Sequence, residues 1–71
     1  MKLHYYPETD SLYIELKPTL GATTREVADG LVVDLNEQGE VVGFDIDLAS
    51  KRFDLSRLET VALPVQTTSA A

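Results

Sequence analysis

Cysteine is absent from these 71 residues. Neither a disulfide framework nor a thiolate metal site can therefore supply the stability that chains of this size often draw from such staples. Histidine occurs once, at His4, whereas zinc sites gather several such ligands. Ser11, Ser50, Ser56 and Ser69 follow no nucleophile-elbow pattern, and all would depend on that single imidazole as a base. No catalytic residue is assigned. No window approaches the ~18 apolar residues of a membrane span, and residues 1–7 lack the apolar stretch of a secretory leader. The expected setting is cytoplasmic, away from membranes. Positive charge is also scarce: six Lys and Arg face twelve Asp and Glu, a formal net charge of -6. A phosphate backbone would be repelled unless the bases shared one face, and only Lys51, Arg52 and Arg57 lie near one another in sequence. No nucleic acid is expected as a partner.

What remains is β-rich. Alternating apolar residues on either side of Pro7-Glu8-Thr9-Asp10 predict a hairpin over residues 1–16. In its register Lys2, Leu3, His4 and Tyr5 stand opposite Glu15, Ile14, Tyr13 and Leu12, and every cross-strand pair is compatible. A second hairpin is predicted around Asn36-Glu37-Gln38-Gly39, with Gly39 in the left-handed position that closes the loop. Read as a four-residue loop, it sets Val33 against Val42, Leu31 against Phe44 and Asp45 against Gly30. Asp29-Gly30 marks either a two-residue hairpin turn or a bulged bend, with strand on both sides. The literal turn puts Glu26 against Val33 on the apolar face, a conflict that a bulge would relieve.

Asp47 to Phe53 is expected to form a turn or a helical turn. A short helix is predicted over 54–62, with Asp54 as N-cap and Leu55, Leu58 and Ala62 at helical spacing. The fold class is α+β, mostly β: antiparallel hairpins forming a small sheet with one short C-terminal helix. One domain is expected over residues 1–63, with a flexible tail over 64–71. Its core should be thin, because a chain of this length buries only roughly 60% of the surface its unfolded form exposes. Pro7, Asp10, Gly30, Gly39 and Gly43 are the residues expected to shape the backbone at turns.

Two kinds of surface chemistry stand out. Tyr6, Tyr13, Val32 and Val41 would leave apolar and aromatic area on a sheet face, which suits a protein interface. Asp29, Asp34 and Asp45, and in a wider set Asp10, could hold magnesium or calcium or share a proton as an acid/base pair. The first reading makes the chain a small acidic interaction module without a cofactor, partnered by itself as a homo-oligomer or by another small protein. The second makes it a carboxylate-based metal-binding protein or metal-dependent enzyme.

Tyr6-Pro7-Glu8-Thr9-Asp10-Ser11-Leu12-Tyr13-Ile14, then Glu26-Val27-Ala28-Asp29-Gly30-Leu31-Val32-Val33-Asp34, then Gly39-Glu40-Val41-Val42-Gly43 and Ala49-Ser50-Lys51-Arg52, follow one another in the chain. In this combination the chain resembles the prokaryotic family known as domain of unknown function 2283, over about residues 3 to 55. Tyr6 stands where the family pattern has an Asp before its Pro. The resemblance implies a compact β-rich domain and brings no activity, cofactor or catalytic residue with it. It also implies an antitoxin-like role, since relatives of this kind are similar to small proteins paired with toxin-like partners.

Overall fold

The computed structural model describes residues 1–64. Five strands, β1 (Lys2–Tyr6), β2 (Ser11–Glu15), β3 (Thr23–Ala28), β4 (Leu31–Leu35) and β5 (Val41–Ile46), precede one helical turn, α1 (Ala49–Arg52). They form a single antiparallel open sheet in the order β1-β2-β5-β4-β3. The strand that comes last in sequence therefore lies in the middle, and β1 and β3 are the edges. Of the expected tail over 64–71, residues 65–71 lie outside the described residues. Among those described, no helix is long and apolar enough to cross a membrane.

The first hairpin has the register its alternation predicts, from Lys2↔Glu15 through Tyr5↔Leu12, and Tyr6↔Ser11 completes it. The second does not. Val33 pairs with Phe44, Leu31 with Ile46 and Val32 with Asp45, a displacement of two residues from the expected pairing. Part of the shift comes from the loop. Asn36 Oδ1 accepts the N–H groups of Gln38 and Glu40 at 3.0 and 2.9 Å, while the Asn36 N–H donates to the Glu40 carbonyl at 2.9 Å. Asn36 thus extends the ladder, and only three residues turn the chain, with Gly39 at φ 81°. The rest comes from β5, where the pairing steps from Asp34↔Gly43 to Leu35↔Val41 and leaves Val42 as an extra residue. A shift of two preserves which face each side chain takes, so the apolar set remains together.

Asp29-Gly30 is both a hairpin turn and the neighbour of a bulge. Ala28 pairs with Leu31 across the turn, then Glu26 pairs with Val32, and Val27 is left over. That extra residue moves Glu26 off the apolar face and brings Arg25 against Val33. The bulge lies at Val27 rather than at Gly30.

One sheet face carries Leu3, Tyr5, Leu12, Ile14, Phe44, Ile46, Leu31 and Val33, as the register requires. The core is indeed thin: its buried apolar residues are Val33, Val42, Ile46 and Ala49. The helix expected over 54–62 does not form. Asp54 accepts the Ser56 N–H at 3.1 Å and also the Ser56 hydroxyl. A side chain bonded to the backbone two residues on closes a local turn instead of capping a helix. The only helical turn among the described residues is α1, which lies within Asp47 to Phe53, where a turn or helical turn is expected.

Candidate functional site

The polar face of the sheet is organised around Tyr13. Its register partner on β5 is Asp45, and the neighbouring β5 residue on that face is Gly43, which pairs with Glu15 on one side and Asp34 on the other. Because Gly43 has no side chain, the Tyr13 ring lies across β5, and its hydroxyl donates to Asp34 Oδ2 on β4 at 2.7 Å. Three strands are bolted together by one phenol. Gly43 is accordingly not a turn residue: it lies inside β5, under an aromatic ring, while Pro7, Asp10, Gly30 and Gly39 sit at turns as expected.

The hydrogen bond to Asp34, then burial, then the charges of Asp34, Glu15 and Asp45 push the Tyr13 phenol up to about 12. Its unfolded value is 10.0. The stability linked to this proton is thus fully present below pH 10 and is lost as pH rises through about 12. An alkaline titration followed by near-ultraviolet phenolate absorbance should show one tyrosine ionising near pH 12. Tyr13→Phe should remove that step. Three phenols titrating together near 10 would contradict the assignment.

The carboxylates named as cation ligands are divided. Asp34 and Asp45 share the polar face beside Tyr13, and burial, with the charges of Asp47 and Asp34, raises the Asp45 carboxyl above its ordinary range. Asp45 stands opposite Val32, not Gly30. Asp29 belongs to the β3–β4 turn, where it lines a shallow depression with Gly30, Asp47 and the cation Arg52. Among the described residues, no three His, Cys, Asp or Glu side chains gather closely enough to hold a metal ion.

Asp10 has a different task. Its backbone is left-handed, at φ 54°. Its carbonyl accepts the Ala49 N–H at 2.9 Å, its Oδ1 accepts the Tyr5 hydroxyl at 2.7 Å and the Ser50 N–H at 3.0 Å, and its Oδ2 accepts the Ser50 hydroxyl at 2.8 Å. Carbonyl and side chain together thus cap α1 from a distant turn, satisfying the Ala49 and Ser50 N–H groups that a four-residue helix cannot satisfy itself. The Tyr5 and Ser50 hydrogen bonds hold the Asp10 carboxyl below its ordinary range. What this contributes to stability is present above the ordinary carboxylate pKa and is lost as pH falls through the lower folded value.

With α1 pinned there, the chain that follows faces the apolar side of β1 and β2. Leu3, Tyr5 and Leu12 from the apolar face, with Phe53, Leu55 and Leu58, line a groove of about 570 Å³. Of the four residues first read as an interaction surface, Tyr6, Tyr13 and Val32 lie on the opposite, polar face, and Tyr13 is engaged with Asp34. Val41 lies at the start of β5 beside the bulge, opposite Leu35. The groove itself was not readable as a surface, because the expected helix over 54–62 would have turned Leu55 and Leu58 into the core. The signal available was the odd-numbered set Leu3 and Tyr5 on an edge strand.

Residues 2–50 match the family described as "Protein of unknown function (DUF2283)", more than two thirds of the chain. The chain belongs to that family. The match takes in all five strands and the Asp10–Ser50 junction, and it ends before the segment carrying Phe53, Leu55 and Leu58. No curated protein and no solved structure was found to match the chain.

Proposed function

We propose that this protein is a small interaction module that works by covering its apolar groove against another protein chain. The observation that carries this is the groove between β1 and the segment after α1, where Leu3, Tyr5, Phe53, Leu55 and Leu58 stand between 40% and 76% exposed. Contiguous apolar surface is uncommon on small soluble domains and marks places where something binds. The comparison with the interior sharpens the point. Phe53 is larger than any of the four buried apolar residues, and the groove's leucines match the largest of them, Ile46.

The family match supports the same division of labour: the five-stranded sheet and the capped turn form the frame, and the segment beyond the match supplies one wall of the groove. Tagged protein returned to an extract of the cell that makes it should retain a stoichiometric partner, either a second copy or another small protein. The double variant Leu55→Asp/Leu58→Asp, folded by circular dichroism, should release that partner. Retention of nothing by the wild type, or equal retention by the variant, would contradict the proposal.

A further inference from the structure

The two edges of the sheet are unlike. β3 carries the Val27 bulge and the charges of Arg25 and Glu26, devices that discourage a further strand from adding. β1 has neither: Lys2–Tyr6 is five residues of regular strand, every one exposed, with its only full charge at one end. Pro7, which has no N–H to donate, follows β1 directly and ends the usable edge at Tyr6. An exposed, regular edge beside an apolar groove is a template for strand addition.

We propose that the occupant is a second copy of this chain, joined β1 to β1 in antiparallel fashion about a twofold axis at His4, giving a continuous ten-stranded sheet. This rests on the interaction reading above and names its partner. Full overlap of a five-residue strand with itself sets His4 against His4 of the second copy, Leu3 against its Tyr5 and Lys2 against its Tyr6. Leu3 and Tyr5 lie on the groove side, so the two grooves meet at the seam and each helps cover the other. His4 and Tyr6 lie on the polar side, already stacked with ring centroids 4.3 Å apart, and Lys2 of the second copy comes against that aromatic pair.

Charge favours this edge. The chain carries -6 overall, so two copies repel almost everywhere, but residues 1–7 contain no Asp or Glu. β1 brings no carboxylate of its own to the seam, and Asp54, the one carboxylate lining the groove, shares that lining with Arg57. All five β1 residues, with Phe53, Leu55 and Leu58, are exposed and available to such a seam, which in a standard complex buries about 800 Å² per partner.

A residue on the twofold faces itself, which gives a decisive test. The variants His4→Lys and His4→Asp each place like charges opposite one another, and each should weaken the dimer by on the order of tenfold or more. Sedimentation should show wild type as a dimer at micromolar concentration, each variant alone shifted toward monomer, and an equimolar mixture of the two returned to dimer. Circular dichroism establishes that both variants are folded, and a variant unfolded alone is replaced by the cross-linking arm. There His4→Cys, the only thiol in the chain, should oxidise to a disulfide-linked dimer on the order of tenfold faster than Val27→Cys on the opposite edge. A mixture that stays monomeric, or Val27→Cys linking as fast as His4→Cys, would overturn the β1 joint. A monomeric wild type that nonetheless retains a different protein through Leu55 and Leu58 would overturn this inference and leave the interaction reading intact.

Discussion

Gly43→Val is expected to destabilise the protein by about 2–4 kcal/mol, from overpacking together with loss of a hydrogen bond to a charged group. A Cβ at this position would overlap the Tyr13 hydroxyl, approach its Cζ to 2.6 Å and crowd the Ile14 carbonyl at 3.1 Å. The ring must leave, and the Tyr13–Asp34 bond across β5 goes with it. In a domain of this size the loss corresponds to a fall in Tm of about 10–30 °C. Gly43→Ala within a double-mutant cycle isolates the cause. In the Tyr13→Ala background the ring is already gone, so most of the cost of Gly43→Ala should vanish, a coupling of about 2 kcal/mol. Equal cost in both backgrounds would show that the glycine is required for some other reason.

Gly30→Val should be the next most damaging change, at about 1–3 kcal/mol. Gly30 is buried, and its φ of 76° is one that a β-branched residue adopts poorly. Its added side chain would also meet the Arg52 guanidinium, with Nη2 at 2.7 Å, and its carbonyl accepts the Asp47 N–H at 2.8 Å, tying the β3–β4 turn to the end of β5. Arg52 is an exposed, flexible side chain and can swing aside, so backbone conformation is the larger part of the effect. Gly30→Asn separates the two, because asparagine tolerates the left-handed region. It should retain about 1 kcal/mol more stability than Gly30→Val. Equal melting temperatures for the two variants would assign the cost to the Arg52 contact instead.

These two glycines also show where sequence reasoning succeeds and where it fails. Gly30 is legible because Asp-Gly between two β-rich runs is a local signal, and local chemistry decides the turn. Gly43 reads as another turn residue because its reason for being glycine lies 30 positions away, in Tyr13. The first hairpin is legible down to each pair, since one four-residue turn and strict alternation define it. In the second, the Asn36 side chain adds itself to the ladder and β5 carries an extra residue, and neither event has an alternation signature. The apolar face from Phe44 to Ile46 is nevertheless the expected one, because a displacement of two leaves those residues on their own side, and only Val41 and Val42 at the bulge depart from it.

The helix shows the same contrast between local and distant causes. Leu55, Leu58 and Ala62 have helical spacing, yet an isolated stretch of that length is marginal, and Ser56 gives Asp54 a competing partner. α1 forms within the stretch expected as a turn or helical turn, and Asp10 fixes it there from the β1–β2 turn. The groove follows from both events: with no helix over 54–62, Phe53, Leu55 and Leu58 lie alongside β1 as an open wall. Asp29, Asp34 and Asp45 appear grouped only in the unshifted register, and the two-residue displacement carries Asp45 away from the Asp29 turn.

Amide hydrogen exchange along the two edges tests the central claim, that the β1 side is the contact surface, most directly. At micromolar concentration the outward N–H groups of Lys2–Tyr6 should exchange slowly, as those of central β5 do, while the outward groups of β3 exchange rapidly. Dilution should release the β1 protection before the rest of the sheet opens, as mass action requires of an interface. Rapid exchange of the outward β1 groups at every concentration, indistinguishable from β3, would contradict the account.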